Sequence, residues 1–82
     1  MNRGNYIVNP DNIARIAIQT MHDLGQGQFD SMEAVMGLVE AVGRIIVDTA
    51  PTPVQAKEML AVSMEHLHNV ITAGFETKGF RQ

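Results

Sequence analysis

The groups in this chain with the most obvious chemical potential are His66 and His68, with Glu65 beside them and His22 far upstream. Imidazole and carboxylate can hold zinc or move protons, but only where they converge. On a helix, residues two apart point about 200° away from each other, so one ion cannot take both His66 and His68. Zinc ligands on one helix need i,i+4 spacing, and the positions four away from His66 are Val62 and Val70. His22 joins only through tertiary folding. The expectation is no metal site: three solvated or boundary histidines.

Nucleophilic and acid–base chemistry fare no better. Ser31 and Ser63 are the chain's serines. The first sits at a helix start, the second on a small-residue stripe. Glu65 and His66 are adjacent and splayed, while Glu58 lies two turns from Glu65 on a wet face. Catalysis would need residues distant in sequence to converge. The chain is therefore read as a non-enzyme without cofactor. Gly25-Gln26-Gly27 ahead of a helix start suggests phosphate binding only superficially. No strand or lysine precedes it, and Asp30 at the helix N-terminus would repel an anion.

Nucleic acid wants clustered cations. Here Arg3, Arg15, Arg44, Lys57, Lys78 and Arg81 are scattered among nine acids, and the net charge is −3. That balance argues against nucleic acid and against an anionic membrane surface. A helix-turn-helix variant would offer a groove mainly Glu58, Glu65, His66 and Asn69, poor material for phosphates. The acids are also too dilute for mimicry of DNA.

The elements that would position any site are three helices. Asn9 suits a cap, Pro10 the first helical position and Asp11 the positive end of the helix dipole. Val8 and Ile13 hold the positions of a hydrophobic staple. Ile13, Ile16, Ala17, Thr20, Met21 and Leu24 follow at helical spacing, with Ile18 off the stripe and Gly25 as the expected stop. A second helix opens at Asp30-Ser31-Met32-Glu33, a capping-box pattern. Pro51-Thr52-Pro53 separates it from a third, for which Thr52 caps, Pro53 leads and Gln55 completes another box. So short a connection makes a hairpin of the second and third helices. On the third helix Ala56, Met59, Leu60, Ser63, Met64, Leu67, Val70, Ile71 and Gly74 form the expected core stripe, with Gly74 as C-cap and Phe75 folding back.

The second helix is apolar around most of its circumference. Val35, Leu38, Val39, Val42, Ile45 and Ile46 share one face, and Met32, Met36, Val39, Gly43, Ile46 and Ala50 an overlapping one. Its polar residues make one thin stripe, Glu33, Glu40, Arg44 and Asp48, with i,i+4 pairs Glu40–Arg44 and Arg44–Asp48. Gly37 is in register with that stripe. A helix with one neighbour needs an apolar stripe only about 100° wide; one apolar nearly all round must be covered from several sides. Gly43 on an apolar stripe suits close approach of another backbone. Met32, Met36, Met59 and Met64 suit either irregular core filling or an adaptable binding face.

Length closes the argument. Eighty-two residues make one domain, and one of this size buries only about 60–65% of its unfolded surface. Hydrophobic content of 45% excludes general disorder. The chain has no cysteine, which fits a reducing compartment such as cytoplasm. Its start lacks the pattern of a secretory signal, and no run approaches the ~20 apolar residues of a membrane span. The expected fold is all-α: a small three-helix bundle over 9–75, with an extended segment over 1–8 and a tail over 76–82. The expected function is protein binding by a homodimer, as an adaptor or inhibitor of a larger protein. Small helical proteins encoded by phages and other mobile elements offer an analogy of size and class. A structural subunit of a larger assembly and a small ligand-binding or enzymatic bundle are the alternatives. The expected interface comprises Met32, Met36, Val39, Val42, Gly43, Ile46, Ile18, Val62 and Phe80, the last flanked by Lys78 and Arg81 as a docking anchor. Tyr6-Ile7-Val8 could add to it. The partners are then a second copy and an unidentified protein, with neither nucleic acid nor membrane.

Overall fold

The computed structural model describes residues 8–80. Tyr6, Ile7 and Arg81 lie outside the described residues. The fold is all-helical, with α1 over Pro10–Gly27, α2 over Ser31–Thr49 and α3 over Pro53–Thr77. There is no strand among the described residues. The element set is that of a small helical bundle.

Each helix starts where capping chemistry puts it. The Asn9 side chain accepts from the Asp11 N–H at 2.9 Å, with Pro10 next to the cap. Asp30 donates its backbone N–H to Glu33 Oε1 at 3.2 Å, the returning half of a capping box. Thr52 Oγ1 accepts from the Gln55 N–H at 3.2 Å and donates to Gln55 Oε1 at 3.4 Å. These bonds satisfy donors that the first helical turn leaves without partners.

The C-termini depart from expectation. Gly25 does not stop α1, which continues through Gly27. A glycine ends a helix only when the chain needs a left-handed residue there, and in this chain that residue is Gln28, at φ 56° and ψ 41°. A Cβ on Gly27 would overlap the ring of Phe29, so its absence lets that ring fold back over the end of α1. A left-handed non-glycine residue carries a steric penalty of about 1–2 kcal/mol, partly offset in glycine by unfolded-state entropy. Gln28→Gly is therefore expected to stabilise the chain by about 0.5–1 kcal/mol. The check is a rise of a few degrees in the melting midpoint followed by circular dichroism; a fall would contradict the left-handed assignment.

Gly74 likewise does not end α3. The helix runs on to Thr77 and closes at Gly79, whose φ of 94° supplies the left-handed residue. Gly79 N–H donates to the Glu76 carbonyl at 3.0 Å and Phe80 N–H to the Phe75 carbonyl at 2.9 Å. That pair of bonds is a Schellman motif, and its usual apolar contact is present too. The rings of Phe75 and Phe80 meet edge to face with centroids 5.8 Å apart. Lys78 Nζ sits 5.5 Å from the centre of the Phe75 ring. α3 thus includes Glu76 and Thr77, the first two residues of the expected tail.

The chain divides into two compact units, Met1–Val42 and Gly43–Gln82. In the first, Thr20, Leu24 and Ala34 are half-buried and none of the described side chains is fully buried. In the second, Ile46 is the buried hydrophobic residue, 9% exposed. Ala50, Ala56, Met59, Val62, Ser63 and Thr72 are half-buried. Thr49 Oγ1 lies 4.0 Å from Met59 Sδ, which places the end of α2 against the second turn of α3. Apart from Thr72, the covered side chains of this unit lie within about three helical turns of residues 50–52.

Candidate functional site

His66 and His68 are exposed on α3. Among the described residues no three histidines, cysteines, aspartates or glutamates gather closely enough to hold a metal. His22 Nδ1 lies 3.6 Å from Asp23 Oδ1, with both side chains two-thirds exposed, and Asp23 also accepts from Gln19 Nε2 at 3.0 Å. A pair so solvated is worth little and polarises nothing.

Ser63 is half-buried on α3, and its hydroxyl donates to the Met59 carbonyl one turn back at 2.8 Å. Thr49 and Thr77 make the same bond to the carbonyls of Ile45 and Ala73, at 2.7 Å and 2.9 Å. This is the local habit of hydroxyl side chains within helices, and it occupies each proton. The residues Asn12, Arg15, Ile16, Gln19 and Thr20 line an open depression. All five come from α1 alone, so polar groups from other elements do not converge on it.

What the structure offers instead is apolar surface. In the first unit Ile18, Met32, Met36, Val39 and Val42 of the expected interface are exposed, as are Ile16, Met21 and Val35. In the second unit Gly43 and Phe80 are exposed, whereas Val62 is half-buried and Ile46 is buried. A Cβ on Gly43 would meet nothing within 4 Å. The open space is compatible with close approach from outside and is occupied by nothing inside. No helix among the described residues is long and apolar enough to cross a membrane.

Spacing did not foretell one feature. Leu60, Met64, Leu67, Val70 and Ile71, placed on the core stripe of α3, are all about half exposed. The third helix has more apolar circumference than its unit covers. The available signal was its width: Val62 lies off the stripe yet is half-buried, so the covered face is rotated from the one that spacing selects. Comparison with family models, curated proteins and solved structures finds no match to this chain.

Proposed function

We propose that this chain is a non-catalytic protein-binding module that acts as a homodimer, as an adaptor or as an inhibitor occluding part of a larger protein. One observation carries the proposal: the apolar side chains on the first half of α2, Met32, Met36, Val39 and Val42, are exposed. Singly exposed apolar residues are ordinary on monomers, but contiguous apolar patches mark interaction surfaces. Two of the four are methionines, whose flexible thioethers adapt to a partner's contour. Lack of cysteine suits a reducing compartment, and cytoplasm is the proposed location.

The test is the solution mass across a dilution series, by light scattering coupled to size exclusion. A discrete dimer persisting into the low micromolar range is the expected result. A monomer at every concentration would remove self-association from the proposal. A polydisperse ladder would favour the alternative of a subunit from a larger assembly.

A further inference from the structure

His68 differs from the other two histidines in what lies one turn away. Met64 precedes it by four residues on α3, whereas no methionine or carboxylate stands three or four residues from His22 or His66. Met64 is 60% exposed and His68 is exposed too, so a dissolved ion reaches both. The described residues offer neither side chain a hydrogen bond or an ion pair. On a helix, residues four apart are neighbours, with Cβ atoms about 5–6 Å from each other. Long side chains lean toward the helix N-terminus, which brings the later member of such a pair back over the earlier one. The thioether sulfur and the imidazole Nδ1 each lie two bonds beyond their own Cβ, so both can reach a point between the two residues.

The donor types decide which ion fits. Thioether sulfur selects Cu(I), and imidazole also suits copper. Zinc asks for four donors drawn from thiolate, imidazole and carboxylate, which one imidazole with one thioether does not supply. A monovalent d10 ion is satisfied by two uncharged donors, one on each side. The rotatable bonds of methionine let its sulfur adjust to that line. The surroundings favour the same class of ion. Leu60, Leu67 and Ile71, each about half exposed, flank the pair and supply no hard oxygen donor. Glu65, three residues before His68, adds negative charge that attracts a cation. Met32 and Met36 are also four apart and exposed, on α2, but that pair lacks the imidazole, which is the stronger donor.

We infer that Met64 and His68 form a two-donor site on α3 for a soft monovalent cation, Cu(I) or its air-stable counterpart Ag(I). The site needs neither a second copy nor a foreign protein. The test is a titration of the whole chain with silver nitrate in chloride-free buffer, following the methionine methyl groups and histidine rings by NMR. The Met64 methyl signal, identified by its loss in Met64→Leu, is expected to move together with the His68 ring signals. Both should saturate before the methyl groups of Met32 and Met36 respond. His68→Gln should weaken the Met64 response about a hundredfold, because it turns a chelate into a single donor. His66→Gln is the control: residue 66 is two from Met64 and turned away from it, so the response should be unchanged. Zinc sulfate at the same concentrations should leave the Met64 methyl group where it was. A Met64 response that survives His68→Gln at full affinity, or that zinc reproduces, would overturn the site. So would saturation of Met32 and Met36 ahead of Met64.

Discussion

Ile46→Asp is expected to unfold the Gly43–Gln82 unit. Ile46 is 9% exposed, while its neighbour Ile45 is 58% exposed. Removing a buried isoleucine side chain costs about 2–5 kcal/mol, and the low end applies where surrounding side chains can collapse into the space. The half-buried residues around the turn leave such freedom. The carboxylate adds the penalty of an unpaired charge in a covered site, bringing the total to about 3–5 kcal/mol. A chain of this length has a total stability of about 4–12 kcal/mol. A loss of that size takes about a quarter of the margin at the high end of that range and all of it at the low end. Chemical denaturation should therefore show a lowered midpoint and a shortened or missing folded baseline. Ile45→Asp is the control, with the same residue types one position away, and should change stability by about 0.5 kcal/mol or less in dilute solution. Equal losses at both positions would mean that burial in this unit is not centred on Ile46.

The contrast between these neighbours marks how far the sequence could be read. Helix starts were legible because they depend on residues adjacent in the chain. Asn9-Pro10, Asp30 with Glu33, and Thr52-Pro53 with Gln55 each form the bonds their types dictate. Helix ends were less legible. A glycine permits a left-handed turn without demanding it, so α1 passes Gly25 and α3 passes Gly74. The turn at Gly79 is fixed by the Phe75–Phe80 contact as well as by backbone freedom. Burial was the least legible. Periodicity says which residues share a face and not whether anything lies against that face. Leu60 and Met59 are adjacent, apolar and on the same expected stripe, yet Met59 is the more covered and Leu60 is 48% exposed. The same limit applies to the candidate surface: the apolar excess of α2 could be read directly, and its coverage could not. Chemistry needing convergence lies beyond single-helix spacing altogether, because that spacing relates only residues on the same helix.

Because Ile46 is buried, substituting it reports on folding, and the proposed interface is better probed at the exposed Val42. Val42→Glu is expected to weaken self-association about a hundredfold without loss of helix. Val42 is 43% exposed, so a charge placed there in the free chain remains hydrated and costs little. In a dimer the same carboxylate would lose that hydration against apolar side chains, and the valine's own burial would be lost with it. Burying an aliphatic side chain is worth about 1.5–3 kcal/mol when complete, so a half-covered one forfeits about 1 kcal/mol. A symmetric dimer contains the substitution twice, and desolvation of each charge adds to the loss. Together these reach about 3 kcal/mol, or two orders of magnitude in the dimer dissociation constant. Val47→Glu gives the comparison. Val47 is 78% exposed, five residues along the same helix, and therefore turned about 140° from Val42. Its substitution should leave the mass unaltered at every concentration. If Val47→Glu dissociates the dimer and Val42→Glu does not, the self-contact lies on the opposite side of α2, and the stripe through Met32, Met36, Val39 and Val42 is left open to a foreign protein.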